Sequence, residues 1–561
     1  MLMQSKFPDV EYPTDLTIWE WAFEHPKWSQ LHQVPRNQIS GYTNAVTNER
    51  LDFFQVKEHA TNLSTALVKR YGLREQDTVS LFSPSSIWYP VAMFAVLRAG
   101  GRVNGASPAY GEAEMTSALQ TAKAKYVLTV PASLPVALAA AKAAGIPNER
   151  VFLLEGEADG FTTLKTLLEI GKSYGENGQS PQFRVPAGKT NDICGFLTFS
   201  SGTTGLPKAV MLSHKNVLAQ CAQLKGVAPP EKKNQLACLP LFHISGLVRF
   251  LMWPIASNDE CVMLPQFTME GFLGAIGKYK ITDLTLVPSI VVRLIRDPMV
   301  DNYDLSSVRR VACGAAPLGA DVLALLQKRL PWTGFRQSYG MTESCCCLST
   351  HPPEYYDYKN GNNGGLLLGS TTVKVVDVST GKELGVNETG EILAKGPQIA
   401  MGYLDNPAET AETFGADGFL HTGDIGKLDE NGFIYIVDRI KEMIKVKGQQ
   451  VAPADLEHLL IGHDSVVDCA VIGITDDAFS SERPKAYVVL QKGLQPSEVL
   501  GRQLMDYVKE KRVRYKWVKE IEFIDEIPRN PSGKVLRRIL KARKEPTGLV
   551  VKEVPRVQAK M

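Results

Sequence analysis

Absences narrow this chain before any motif is read. No apolar run approaches the ~20 residues that a bilayer-spanning helix needs, and the start Met1-Leu2-Met3-Gln4-Ser5-Lys6-Phe7 lacks the apolar stretch of a secretory leader. No Cys-x-x-Cys pair occurs, and the nine cysteines are odd in number and scattered, which points to a reducing compartment and away from a disulfide scaffold or zinc site. An excess of one charge is missing too. Lys and Arg number 62 against 60 Asp and Glu, leaving a formal +2 and no electrostatic footprint for nucleic acid or an anionic membrane. Nowhere does a Gly stand five residues before a Gly-Lys-Ser/Thr, so Gly171-Lys172-Ser173 and Gly188-Lys189-Thr190 are not Walker A loops. Internal repeats and low-complexity tracts are also absent. The expectation is a soluble intracellular protein with no nucleic-acid partner and no integral membrane segment. Its 561 residues exceed what one core serves, so two or more domains are expected.

What is present reads first as alternating strands and helices. Thr78-Val79-Ser80-Leu81-Phe82 is strand-like and precedes a helical stretch from Ile87 to Leu97 that Ala99-Gly100-Gly101 would cap. Strand-like runs recur at Tyr126 to Thr129, Asp283 to Val287, and Arg310 to Cys313 before Gly314. This is a layered α/β pattern with ligand loops after strand ends. Past Gly365 the texture changes to short strands and tight turns: Thr372 to Val378, Glu391 to Ala394, Ile425 to Leu428 and Phe433 to Val437, the last two joined through Asn431-Gly432. After Asp438 a compact unit follows, with strands Cys469 to Ile474, Ala486 to Leu490 and Ile521 to Ile524. Leu500, Leu504, Tyr507 and Val508 mark the apolar face of a helix there.

The richest segment is Ser200-Ser201-Gly202-Thr203-Thr204-Gly205-Leu206-Pro207-Lys208. Glycines let backbone N–H groups close around an anion, the hydroxyls add donors, and Lys208 adds charge. The apolar run Ile193 to Phe199 ahead of it supplies a rigid strand. The segment resembles the phosphate loop of the adenylate-forming superfamily, which includes acyl-CoA synthetases, 4-coumarate-CoA ligases, beetle luciferases and peptide-synthetase adenylation domains.

Further segments fall in the order of that family. Leu239 to Gly246 resembles the stretch in which an aromatic and His243 line the acyl site, and Gly314-Ala315-Ala316-Pro317 the turn that meets adenine and the acyl group. Gln337-Ser338-Tyr339-Gly340-Met341-Thr342-Glu343 is similar to the block that stacks adenine on Tyr339, holds phosphate with Thr342 and binds magnesium through Glu343. The resemblance implies that Ser200, Ser201, Gly202, Thr203, Thr204, Gly205, Gly314, Ala315, Ala316, Gln337, Gly340 and Asp424 contact the nucleotide, with the Thr204 hydroxyl also facing the metal. It places His243, Ser245, Gly314, Ser338, Gly340 and Met341 around the acid. Asp438 to Gln450 resembles the ligase hinge, in which Arg439 contacts ribose, Lys441 is the pivot, Lys445 and Gln450 face AMP, and Lys447-Gly448 touches CoA. Asn530-Pro531-Ser532-Gly533-Lys534 resembles the loop of the catalytic lysine, so Lys534, with His243 and Lys208, is the expected catalytic set.

The family fold is α/β: a large multi-layer N-terminal domain of β-sheets and helices, here residues 1–437, and a small mobile α+β C-terminal domain, here 438–561. The implied function is an ATP-dependent acid–CoA ligase that forms an acyl- or aryl-CoA thioester through an acyl-adenylate, with ATP, Mg2+ and coenzyme A taking part. A luciferase-like oxygenase and a catalytically inactive nucleotide-binding regulator are the other readings. Two departures bear on the acid. His243 stands where amino-acid-activating domains carry an Asp, and Ser245 where 4-coumarate ligases commonly carry a Tyr, which counts against an α-amino acid and a hydroxycinnamate. His243 is open to a second reading, a hydrogen-bonded core histidine. Cys345-Cys346-Cys347 is expected as a pocket wall on one strand, where neighbours alternate faces and cannot converge on one ion. The ending Ala559-Lys560-Met561 is a conservative variant of the peroxisomal Ser-Lys-Leu address, so an import receptor is the expected partner and the peroxisome the expected location, with the cytoplasm as alternative.

Overall fold

The computed structural model describes residues 2–200, 208–476, 481–530 and 533–553. Ser201, Gly202, Thr203, Thr204 and Gly205 of the phosphate loop, and Ala559-Lys560-Met561, lie outside the described residues.

Two largely parallel sheets build the large unit. The first runs in the order Gly402–Tyr403, Lys208–Ser213, Cys194–Ser200, Arg102–Ala106, Thr78–Phe82, Ala124–Thr129, Val151–Leu153. Thr78–Phe82 is buried along its whole length and pairs in parallel with strands on both sides, and its buried Ser80 hydroxyl donates to Asn104 Oδ1 at 3.1 Å. The following helix, Trp88–Arg98, ends as expected: Gly100 lies at φ +76°, and the N–H groups of Gly100 and Gly101 donate to the carbonyls of Leu97 and Val96 in a Schellman closure.

The second sheet has nine strands, and in it Gly334–Tyr339, Arg310–Cys313, Asp283–Leu286, Asn234–Ala237, Glu260–Met263 and Gly41–Asn44 are parallel neighbours. This order brings distant motifs together. The turn after Arg310–Cys313 and the block after Gly334–Tyr339 leave adjacent strands at their C-terminal ends, the position where open α/β sheets place ligands. One hydrophobic core from Ile18 to Tyr403 joins both sheets.

A third, antiparallel sheet of five strands includes Leu420–Leu428 and Ile434–Arg439, joined through the expected turn with Gly432 at φ +81°. The first of these begins earlier than its apolar residues indicate, because Leu420 and His421 already pair with Ala394 and Leu393. The separate C-terminal unit has its own core, made of residues from Ile444 to Val551, around the strands Val466–Asp476, Ser481–Leu490, Glu520–Phe523 and Val550–Lys552 and the helices Pro453–Ile461 and Glu498–Lys511. The architecture is therefore the expected mixed α/β unit with a smaller second unit. Asp438 and Arg439 still pair with Ile425 and Asp424, so they close the third sheet before the chain leaves for the second core.

Arg537 ties the small unit to the connecting segment. Its guanidinium grips Glu457 with two bonds of 2.7 and 2.9 Å and meets Glu442 at 2.8 Å, all three side chains being largely buried. Removing one member of such a buried set strands the others, at about 3–5 kcal/mol. Arg537→Met is predicted to lower the unfolding free energy of the C-terminal unit by about 3 kcal/mol in urea. A loss under about 1 kcal/mol would contradict this reading.

Candidate active site

The strands Cys194–Ser200 and Lys208–Ser213 form an antiparallel hairpin in which Ser200 faces Lys208, so the phosphate loop springs from two paired strands. Lys208 pairs with Glu409 and lies over the Tyr403 ring, 5.2 Å from its centre. Burial, reinforced by nearby Lys441, lowers its ammonium below the usual lysine range. The Tyr403 hydroxyl donates to Glu343 Oε1 at 2.9 Å, which orients that buried carboxylate, and among the described residues no hydrogen bond goes to Oε2. One such carboxylate fits the mode in which Mg2+ is held by one or two protein oxygens together with substrate phosphates.

The Tyr339 hydroxyl donates to Asp424 Oδ2 at 2.9 Å, while Arg439 Nε lies 3.3 Å from Asp424 Oδ1. Burial raises the Asp424 carboxyl above its usual range, against the pull of Arg439. Tyr339 is pushed well up, by burial first and then by the Asp424 charge. Lys534 reaches the same cluster from the other unit, its Nζ 3.8 Å from Glu442 Oε1. Burial lowers its ammonium, then Arg439 does, while Glu442 and Asp424 oppose. The loop behind it is fixed: Asn530 Oδ1 accepts from the Lys534 N–H at 2.9 Å, and Arg529 donates to the Gly533 carbonyl while pairing with Asp468.

His243 caps the short helix Ile244–Gly246. Its Nδ1 accepts the Ser245 N–H at 3.3 Å and sits 2.9 Å from Ser245 Oγ, an arrangement of the neutral ring with its proton on Nε2. Burial holds it at about 4, so it stays neutral through the physiological range. The ring is a hydrogen-bonded cap that keeps partial exposure. Ser338 donates to or accepts from Thr350 at 2.7 Å, and Gly340 is required as glycine because a Cβ there would stand 1.8 Å from the Cys346 carbonyl oxygen. Ala315, in the turn expected at adenine, takes a left-handed φ of +73°, strain held in place beside the site. Gln337 commits its side-chain amide to the backbone of Leu318 and Gly361, fixing that turn to the strand.

One expectation needs correction. Cys345, Cys346 and Cys347 do not lie on a strand. Thr342–Ser344 makes a single helical turn, Cys345 and Cys346 follow at φ +48° and +99°, and the next strand begins only at Ser349. The close pass beneath Gly340 forces this reversal. Lys445 and Gln450 are cross-strand partners in the hairpin Ile444–Val446 with Gln449–Val451, and Lys447-Gly448, both at positive φ, make its two-residue turn. This exposed hairpin packs on Ser481 and Glu482, apart from the Tyr339, Asp424 and Lys534 cluster. Tyr403 and Glu442 join the site without any signal in the sequence reading. Gly402-Tyr403 becomes visible only once it pairs with Lys208–Ser213.

A family model described as AMP-binding enzyme matches residues 28–404, and one described as AMP-binding enzyme C-terminal domain matches 455–534. The 4-coumarate-CoA ligase 1 of Narcissus pseudonarcissus is 34% identical over 97% of this chain and 96% of its own. The 4-coumarate–CoA ligase 1 of Petroselinum crispum is also 34% identical, over 97% of both chains. Among solved structures, an ATP-bound chimera of RpMatB and BxBclM is 27% identical with a TM-score of 0.80, over 94% of this chain and 98% of that one. The anthranilate CoA ligase AuaEII with anthranoyl-AMP has a TM-score of 0.82 over 94% and 97%, and at 24% identity it shares the fold. The chain belongs to the AMP-binding enzyme family, within the adenylate-forming superfamily.

Proposed function

We propose that this protein joins a small-molecule carboxylic acid to CoA in two half-reactions at one site, with the residues above in the roles that follow. It is an AMP-forming acid–CoA ligase, and ATP and CoA are its co-substrates. The observation that carries the assignment of roles is the meeting of Lys534 with the Asp424 and Arg439 pair across the two units.

In the first half-reaction a carboxylate oxygen of the acid attacks the α-phosphorus of ATP and pyrophosphate leaves. Two anions must approach each other, so cations and N–H donors are needed around them. Lys208 and the phosphate loop serve the leaving pyrophosphate, and Lys534 serves the α-phosphate and the carboxylate. Asp424 accepts from the ribose hydroxyls, with Arg439 holding it in place, and the Tyr339 ring offers adenine an apolar face. Glu343, with Thr204, would hold Mg2+, which supplies positive charge to the phosphates when bound. In the second half-reaction the CoA thiol attacks the acyl carbonyl and AMP leaves. Lys534 has no further task then, and rotation of the C-terminal unit about Lys441 would exchange it for the Lys445 to Gln450 hairpin. The import receptor for Ala559-Lys560-Met561 and a peroxisomal location belong to this proposal on sequence alone.

Screening a panel of carboxylic acids for AMP release tests the function: at least one acid should release AMP in strict dependence on CoA. AMP release that needs oxygen and emits light, or none with any acid, would overturn it. Lys534→Ala should abolish pyrophosphate release from ATP and acid, yet leave thioester formation from a synthetic acyl-adenylate within about tenfold of wild type. Raising pH removes the Lys534 proton, and its ammonium is lowered, so adenylation should fall on the alkaline side at a pH below the ordinary lysine value of about 10.4. The second half-reaction should lack that limb. Equal losses in both half-reactions would contradict the assignment.

Ser245 leaves volume where a larger side chain would close the pocket, so we expect a bulkier or aliphatic acid to be preferred over 4-coumarate. Ser245→Tyr should shift kcat/KM toward smaller acids by about tenfold per methylene-sized mismatch. An unchanged ranking would place the acid elsewhere.

A further inference from the structure

Two guanidiniums sit behind the proposed acid wall without acids to pair with. Arg249 follows Ser245 by four residues, one helical turn further along the same face. Arg336 precedes Ser338 by two residues on strand Gly334–Tyr339, so it shares that side chain's side of the sheet. Both arginines are partly exposed, unlike their neighbours Phe250 and Phe335, and so border a space rather than packed protein. They act on each other as like charges, and burial together with Arg249 lowers the Arg336 guanidinium.

A guanidinium carries five N–H donors. Among the described residues Arg249 makes one hydrogen bond, to Cys347 Sγ at 3.2 Å, and Arg336 one, to the Tyr356 hydroxyl at 2.5 Å. No carboxylate of the described residues lies within ion-pair distance of either. The acids nearby are engaged: Asp283 is gripped by Arg310 through two bonds of 2.7 and 3.0 Å, and Asp259 accepts from the Lys233 N–H, Trp253 Nε1 and Gln235 Nε2. Lys233 adds a third cation, lowered to about 8 by burial and then by Arg336. The Cys347 thiol is drawn down by its contact with Cys346, ahead of Arg249. Asp283 and Asp259 act on Arg336 and Lys233 only from beyond ion-pair distance, while bonded to other partners. Unpaired charges in a recess of low polarity are costly, and the cost is recovered when an anion occupies the recess. The planar forks of two arginines match a carboxylate.

We infer that Arg249 and Arg336 form an anion-binding floor to the acid pocket, and that the acid activated here carries a second anionic group at its far end. The inference rests on the ligase reading above and names its substrate class. Ser245 supplies the width, and the arginines supply the recognition at depth.

The test compares matched acids: 4-carboxycinnamate against 4-methylcinnamate, and medium-chain α,ω-dicarboxylates against monocarboxylates of equal length, by CoA-dependent AMP release. Wild type should favour the dianionic member of at least one pair by about tenfold or more in kcat/KM. Arg249→Met should collapse that ratio chiefly through the KM of the dianion, and Arg249→Lys should restore part of it. The wild-type comparison keeps the test valid if Arg249→Met does not fold. Preference for the neutral-ended acid in every pair, or a ratio that Arg249→Met leaves unchanged, would overturn the inference and leave the ligase reading standing. The absence of CoA-dependent AMP release with any acid would instead overturn the ligase reading.

Discussion

A buried carboxylate held between a phenol and a guanidinium is the interaction on which this site is built. Asp424 sits where the Leu420–Leu428 strand pairs with Ile434–Arg439, so the hydrogen bonds of one hairpin bring it against Arg439, and the adjoining parallel sheet brings Tyr339 to its other oxygen. Placing an acid at such depth carries a desolvation penalty, visible in its raised carboxyl, which the two partners offset only in part. That residual polarity suits the hydroxyls of a ribose. Lys534 and Glu442 then find their positions in relation to it, and the second unit docks so that its lysine loop meets the cluster.

Much of this was legible in sequence where one residue type has one physical use. The strand-like run Thr78–Phe82, the glycines that close helix Trp88–Arg98 and Asn431-Gly432 at a hairpin each announce a local geometry, and each is found in place. The meeting of Tyr339, Asp424 and Arg439 was legible for a different reason. Its members lie on blocks that resemble a family, and the strand order brings those blocks to neighbouring strand ends. What stayed hidden depends on long-range packing. Tyr403 meets Glu343 only because a two-residue strand pairs with the phosphate hairpin, and Glu442 meets Lys534 only where the lysine loop folds back on the connecting segment. The three cysteines were misplaced on a strand because apolar neighbours in a row read as extended chain. The reversal they make is dictated by Gly340, which lets the Cys346 carbonyl pass where a Cβ would stand.

The acid pocket illustrates the division between family and individual. His243 is neutral and hydrogen-bonded at the start of its helix, so any part it takes in a pocket wall does not depend on a charge. Other residues differ in kind: Ser245 is small, and Arg249 and Arg336 carry positive charge with no carboxylate of the described residues within ion-pair distance. Shape and charge are separable physical terms, so on the proposed reading width and terminal charge of the acid would be read by different side chains.

In the proposed division of labour the arrangement seen here is the adenylating one, and the second half-reaction needs another. The two units touch where helix Ala320–Arg329 meets the end of helix Pro453–Ile461, and a Cβ on Gly462 would stand 3.0 Å from that of Asp321. This is slightly inside the range of about 3.5–4.5 Å that a disulfide spans, so a small adjustment would admit one. The direct measurement is therefore single-turnover kinetics of Asp321→Cys with Gly462→Cys, oxidised and reduced. The oxidised enzyme should release pyrophosphate from ATP and acid as the reduced enzyme does, and should form CoA thioester about a hundredfold more slowly until reductant is added. Thioester formation at equal rates in both states, or loss of pyrophosphate release on oxidation, would contradict the account.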